Sequence, residues 1–389
     1  MFEKALAGTK AYWMWIFFLL IFIGIGFVCY LYQLNEGMQI TGLGRDVSWG
    51  LYIGQFTFLG GVAASVVILI MLYYLHNVQV FSRMIVLGVF LAIAAAIMCI
   101  LFIFVDLGNP ARVLNVLLYP SPNSILFWDM IALNGYLLLT ILIGWNLLAA
   151  ERKAVAPPGW IKVLIYISIP WSISIRVVTA FLYAGLPARD YWLTAIMAAR
   201  FLAAAFSAGP ALLIILALLV KRLSAFDSGQ EAINKLKIIV TYALLTSIFF
   251  FLLELFTAFY SNIPDHQYAF QYLFFGLEGY GKYVSWTWIS VMAGVLSAIL
   301  LLLPLTRKNN AWLVAACIGV FGSLWIEKGL TLVVAGFVPT PLGHISEYAP
   351  TLPEVFITLG IWATGILVLT LLYKIAIAIK LDPNSAWVH

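Results

Sequence analysis

The chain has 389 residues, of which 64% are hydrophobic and only 10% charged, with a mean hydropathy of +1.04. A soluble domain carries about 25% charged residues, so there are too few charges here to coat a water-facing surface, and the bilayer is the expected solvent. The formal net charge of +5 does not point to nucleic acid, because the basic residues sit mostly in short loops between apolar runs, as membrane topology requires.

A helix needs roughly 20 apolar residues to cross the hydrocarbon core. Runs of that kind predict helices near 12–34, 48–76, 83–107, 124–149, 161–185, 191–221, 234–260, 283–305, 311–335 and 354–379. The first run, Tyr12 to Leu34, is too long for a signal-peptide core and no small-residue cleavage site follows it, so it reads as a retained helix. Asn109-Pro110, Tyr119-Pro120-Ser121-Pro122, Pro157-Pro158-Gly159 and Pro339 to Pro341 punctuate the gaps. No gap is long enough for a soluble domain, and the tail from Asp382 to His389 is short and polar. The whole of 1–389 is therefore expected to be one integral membrane domain, all-α and polytopic. Gln55-Phe56 early in the second helix resembles Arg200-Phe201 early in the sixth, each followed by small residues, which suits two four-helix bundles plus two extra helices.

Orientation follows from the loops. One side holds Lys4, Lys10, Arg83, Arg152, Lys153, Lys162, Lys221, Arg222, Lys235, Lys237, Arg307, Lys308, Lys374 and Lys380; the other holds Arg45, Arg112, Arg189 and Lys282. The positive-inside rule puts the first set, and both termini, in the cytoplasm of a multi-pass cell-membrane protein. The polar loops 35–47, 108–123, 261–282 and 336–353 then face outward and are large enough to dock a partner.

Resident redox centres are not expected. Cys29, Cys99 and Cys317 are far apart inside apolar runs with no CxxC, so no iron–sulfur cluster or zinc site is expected from this chain alone. An interior haem needs histidines projecting from the membrane interior, whereas His76 lies at a helix end, His266 and His344 in outer loops and His389 at the terminus.

The few ionisable groups inside the spans carry more information, because charges in a bilayer usually face a polar cavity and pair with one another. Asp106 ends the third helix, Asp129 lies a turn into the fourth, and Arg176, Arg200, Glu254, Glu327 and Lys328 lie in helices five, six, seven and nine. All fall in the outer half. Arg176 and Arg200 are each roughly 13 Å below the outer edge at 1.5 Å per residue. Glu254 and Glu327 lie at comparable depth, so a buried, mutually neutralising cluster is expected. Two readings are open: a hydrated, proton-conducting or substrate-binding cavity open outward, or a structural ion-pair network. Ser168, Ser172, Arg176, Thr179 and Tyr183 recur at spacings of three and four and share one helix face. Their hydroxyls either relay protons inward or bond back to their own helix.

Asp106-Leu-Gly-Asn-Pro-Ala-Arg112, continued by Val113-Leu114-Asn115, Pro120 to Ser124 and Trp128, resembles the polysulfide reductase membrane-subunit (NrfD-like) family. Phe56 to Ala64 is similar to its glycine-rich helix, and Tyr348 to Glu354 to a motif of its ten-helix branch. Arg45 to Gly50 and Leu126 to Asp129 are most similar to the part of that branch holding the P subunit of the DsrMKJOP complexes of sulfate reducers and the heterodisulfide-reductase-like menaquinol-oxidising complexes. Hydrogenase-2-type membrane subunits are similar as well.

The resemblance implies a subunit without haem or cluster, not catalytic alone. It would exchange electrons between menaquinol or menaquinone, bound as substrate, and an outer ferredoxin-like iron–sulfur subunit, with coupling to proton movement left open. The expected surroundings are the lipid bilayer and the haem b and multihaem cytochrome c subunits of an anaerobic respiratory complex, with no nucleic acid. The motif positions carry over to Gln55, Asp106, Arg112, Asn115, Trp128 and Asp129. A quinol site needs hydrogen bonds to two oxygens, a proton acceptor and an apolar channel. Asp129 is the candidate acceptor, Arg112 orients Asp106 or polarises a quinone oxygen, and Trp49 or Trp128 stacks on the ring. For the tryptophans an interfacial aromatic belt is the plainer role, and for Asp106 with Arg112 a link that fixes the loop. A secondary transporter, a proton channel and a purely structural anchor are the competing functions.

Overall fold

The computed structural model describes residues 8–186, 188–304 and 309–381. Lys4, Arg307 and Lys308 of the orientation argument, Leu305 at the end of the eighth predicted helix, and the polar tail from Asp382 lie outside them.

Among the described residues ten helices are long and apolar enough to cross a membrane: α1 Lys10–Glu36, α2 Leu51–Leu75, α3 Ile85–Asp106, α4 Ile125–Lys153, α5 Gly159–Ala184, α6 Met197–Leu223, α7 Gln230–Tyr260, α8 Val284–Leu302, α9 Asn310–Ala335 and α10 Leu352–Lys380. Among the described residues no strand forms. The protein is an all-α polytopic membrane protein, and an even number of crossings brings both chain ends to one face, called here the N-terminal face. The opposite one is the far face.

The helix starts follow local chemistry. α10 begins at a capping box, in which Thr351 and Glu354 satisfy each other's backbone N–H groups with a proline in the first turn. α6 begins at Met197 rather than near 191. Residues 190–192 form a separate 3₁₀ turn instead. There Trp192, fully buried, plugs the far end and donates its indole N–H to the Leu332 carbonyl at 2.9 Å. The apolar Tyr191-Trp192 pair thus fills a tertiary gap that periodicity reads as more helix.

Helices α2, α3, α4 and α5 form one closed four-helix ring and α6, α7, α8 and α9 a second. α2 packs on α6 and α9 and joins the rings, while α1 pairs with α10 against α3. Between two apolar surfaces in lipid there is no hydrophobic drive, so packing rests on small residues, dispersion and hydrogen bonds. α2 meets that demand: every residue from Leu51 to Ser65 is buried. α1 instead turns Phe17, Phe18, Phe27 and Val28 outward, as a lipid-facing helix should. Two spans contain a π-turn, Met71–Leu75 in α2 and Glu327–Thr331 in α9, a feature frequent at functional sites.

Candidate functional site

Asp129 sits one turn into α4 and is 2% exposed. Thr179 on α5 reaches it across the first ring, with Oγ1 2.9 Å from Asp129 Oδ1. The same hydroxyl lies 2.8 Å from the Ile175 carbonyl. One hydroxyl proton therefore has two acceptors, a geometry that serves either state of the carboxyl group. An ionised Asp129 accepts from Thr179. A protonated one can donate to it, while Thr179 donates to Ile175.

Arg176 lies one turn from Thr179 on the same face and is fully buried. Its Nη1 donates to the Thr57 carbonyl at 2.9 Å, and its guanidinium interacts electrostatically with Asp129. A Cβ at Gly60 would stand 3.2 Å from Nη1, so the glycine leaves room for the guanidinium against α2. Thr57 Oγ1 and Tyr183 Oη share a hydrogen bond of 2.5 Å on the far-face side of Arg176. Above them Trp49 meets Tyr183 edge-on at 5.4 Å and stacks on Trp192 at 5.6 Å. Trp49 is thus part of an aromatic roof over the Asp129 site.

The expected single cluster of charges is in fact two. Arg200 pairs with Glu254 and, at 2.8 Å, with Glu327 Oε1, which also pairs with Lys328 Nζ at 2.8 Å. Arg176 has no carboxylate within ion-pair distance among the described residues, so mutual neutralisation does not extend to it. The reason is side-chain direction: α5 and α6 are neighbours, but Arg176 reaches to the Thr57 carbonyl of α2 whereas Arg200 reaches to Glu254 of α7 and Glu327 of α9. The late start of α6 also puts Arg200 only three residues into its helix, about 4.5 Å along the axis rather than the expected 13 Å. The π-turn at Glu327 turns consecutive residues of opposite charge inward. Phe201 connects the two groups, with Arg176 Cζ over its ring at 4.6 Å and Lys328 Nζ at 5.4 Å.

Two other expectations are corrected. Gln55 is buried but engaged: its oxygen accepts from Trp325 at 2.8 Å and Trp362 at 3.0 Å, and its amide donates to Gly329 at 3.2 Å. It faces α9 and α10, two residues round the helix from Thr57, and offers nothing to a ligand beside Asp129. Asp106 and Arg112 form no ion pair; Arg112 is exposed in a 3₁₀ turn, and Asp106 keeps a buried Oδ1 without a partner. Of the two readings open for the α5 hydroxyls, Ser168 and Ser172 take the second and donate to their own helix at Ile165 and Ile169. Asn115 is exposed on the far-face loop, as is Trp128, whose indole is tied to the Pro122 carbonyl at 2.8 Å.

One buried carboxylate lies outside the residues that the sequence singles out for a site. Glu354, fully buried, takes N–H groups of Gly42 and Thr351 on Oε2 at 2.7 and 2.8 Å, and the Tyr348 hydroxyl on Oε1 at 2.8 Å. Tyr348 in turn accepts from the Leu51 N–H at 2.9 Å. Burial, then the Glu354 carboxylate, pushes the Tyr348 phenol well above its usual range, so it stays a donor. This node ties the start of α2 to that of α10, and the T-x-x-E spacing at Thr351 was its signal.

Among the described residues no three His, Cys, Asp or Glu side chains gather as metal ligands. The site sets a buried carboxyl group and a buried guanidinium on neighbouring helices beneath a group of aromatic rings.

Residues 39–341 match the family model described as polysulphide reductase, NrfD. The chain belongs to the NrfD family. It is 25% identical to a selenate reductase subunit of Mesobacillus selenatarsenatis over 91% of either chain. It is 23% identical to the Hdr-like menaquinol oxidoreductase integral membrane subunit of Archaeoglobus fulgidus, covering 93% of this chain and 92% of the relative. A third relative, the menaquinone reductase integral membrane subunit of Nitratidesulfovibrio vulgaris, is 23% identical over 94% and 92%. These names describe subunits of oxidoreductase complexes. This NrfD-family protein is accordingly an integral membrane subunit of that class.

Proposed function

We propose that this NrfD-family subunit exchanges electrons between menaquinol and an iron–sulfur partner docked on the far face, with Asp129 as the group that takes the quinol proton. The observation that carries the reading is the Thr179–Asp129 contact at 2.9 Å in a buried site. A carboxyl group so placed changes protonation without stranding a polar atom, because Thr179 serves both states.

Oxidation of one quinol yields a quinone, two protons and two electrons. In this reading Asp129 accepts one proton from a quinol hydroxyl, and the second proton passes to water at the far face as the ring is oxidised. Arg176, with no carboxylate of its own, stabilises the negative charge that develops on the ring oxygen. Trp49 and Tyr183 cover the site and keep water out. The electrons pass to the partner's iron–sulfur centre. Menaquinone or menaquinol appears in the names of two relatives, which supports that choice of quinone. The Lys and Arg imbalance supports a cytoplasmic N-terminal face, so that the partner is of the outer, ferredoxin-like kind, in a complex of the DsrMKJOP type. Phe201, in contact with Arg176 and Lys328, is the link by which a charge change at the quinol would reach the Arg200 cluster.

The test is quenching of tryptophan fluorescence by a menaquinone analogue on the purified complex. Saturable quenching that weakens about tenfold in Asp129→Asn with the fold intact is expected. No saturable quenching in the wild type would leave the anchor and transporter functions.

A further inference from the structure

A cavity of about 340 Å³ lies at the N-terminal face of the first ring, the full length of the helices away from Asp129. It is bordered by the ends of α2, α4 and α10 and the starts of α3 and α5. Its charged and phenolic groups are Tyr73, Tyr74, Glu151, Lys162, Tyr166 and Lys380, and Asn77, Gln79 and Ser82 complete its polar lining.

Their hydrogen bonding is incomplete in a specific way. Glu151 Oε1 pairs with Lys380 Nζ at 2.8 Å, but Oε2 is buried with no partner. The hydroxyls of Tyr73, Tyr74 and Tyr166 and the ammonium of Lys162 have no partner among the described residues. The Tyr73 and Tyr74 rings stand edge to face with centroids 4.8 Å apart. A carboxylate oxygen without a donor, beside two aromatic rings, favours a small cation. At the rim, exposed Lys162 and Tyr166 lie one turn apart near the start of α5, and an ammonium beside a hydroxyl favours an anion. One cavity thus presents a cation seat and an anion seat.

The position says what kind of molecule carries both. Glu151 is two residues from the end of α4 and Lys162 three from the start of α5, the depth at which lipid headgroups meet helix ends. Next to the cavity α5 turns Trp160, Val163 and Ile167 outward, 52%, 56% and 40% exposed, as a lipid-facing surface does. Glu151 Oε2 is an acceptor in want of a donor, which an ionised phosphate oxygen is not, so a purely anionic headgroup satisfies only the rim.

We propose that this cavity binds the headgroup of a phospholipid with a primary ammonium, the phosphoethanolamine class, from the leaflet at the N-terminal face. Its ammonium bonds Glu151 Oε2 against the Tyr73 and Tyr74 rings. Its phosphate takes Lys162 and the Tyr166 hydroxyl, and its acyl chains lie along the apolar face of α5.

The test is thermal unfolding of the delipidated full-length chain in detergent with added phosphatidylethanolamine, phosphatidylcholine or phosphatidylglycerol. Phosphatidylethanolamine should raise Tm saturably, and the other two should not. Lys162→Ala and Tyr166→Phe, both at the exposed rim, should weaken the apparent affinity about tenfold together. Glu151→Gln alone strands the Lys380 charge, so it is made with Lys380→Met; the double variant should fold and lose the response. Equal protection by all three lipids, protection by phosphatidylglycerol alone, or no saturable shift would overturn the proposal.

Discussion

Thr179 Oγ1 lies 2.9 Å from Asp129 Oδ1 and 2.8 Å from the carbonyl of Ile175 in its own helix. A threonine bonded back to its helix is ordinary; one that also reaches a buried carboxyl group on a neighbouring helix couples that group's protonation to a fixed backbone acceptor. Thr179→Val should remove this adjustment and weaken quinol binding or turnover by roughly tenfold, the worth of about 1.5 kcal/mol for a hydrogen bond to a charged group. Thr179→Ser should restore most of it. Turnover of the assembled complex against quinol concentration is the measurement.

The Arg200 cluster should behave differently. Arg200→Met removes the partner of Glu254 and one partner of Glu327, and breaking a buried pair from one side costs about 3–5 kcal/mol. A large loss of thermal stability and yield is expected, with unchanged quinone affinity in the fraction that folds. A stable variant without affinity would move the quinone to this cluster.

Gln55 offers a clean distinction between packing and binding. Gln55→Leu strands two indole N–H groups and the Gly329 carbonyl, each worth about 1–3 kcal/mol when buried and unmet. Thermal unfolding should show a clear loss, and a quenching titration should show wild-type quinone affinity.

Where α1 crosses α10, a Cβ on Gly26 would meet Gly360 Cα at 2.8 Å, and one on Gly360 would meet Gly26 Cα at 2.9 Å. Gly360→Val should push the pair apart and lower Tm. Gly24→Ala, with nothing within 4 Å of the new carbon, should leave Tm unchanged.

Outside the spans, Asp227 is held below the usual carboxylate range by its hydrogen bond from Lys221 and then by the Gly229 N–H. A depressed folded-state pKa means that its contribution is complete above the ordinary value of about 3.9 and fades as pH falls below it. Lys221 and Asp227 are 44% and 42% exposed, so screening limits the effect to under about 1 kcal/mol. Asp227→Asn should lower Tm slightly at pH 7, and the difference should shrink as pH falls below about 3.9.

The ten spans were legible because each needs a long apolar run, and the fold obeys that demand almost everywhere. The start of α6 was not, since Tyr191 and Trp192 are as apolar as a helix and only their tertiary burial makes them a plug. The polar face of α5 was legible from its three-and-four spacing. The choice of partners was not: depth alone cannot say that Arg176 looks toward α2 and α4 while Arg200 looks toward α7 and α9. Nothing in the residues around Glu327 announces a π-turn. The Asp106 and Arg112 pairing failed because the turn at Pro110 carries the arginine outward.

The most direct measurement is photo-crosslinking of the purified complex with a menaquinone analogue bearing a photoreactive group on its ring, followed by peptide mapping. Label on the α4 segment around Asp129 and on α5 around Thr179, displaced by excess menaquinone and lost in Asp129→Asn, is the predicted result. Displaceable label confined to the Arg200, Glu254 and Glu327 helices, or to another subunit, would contradict a quinone site at Asp129.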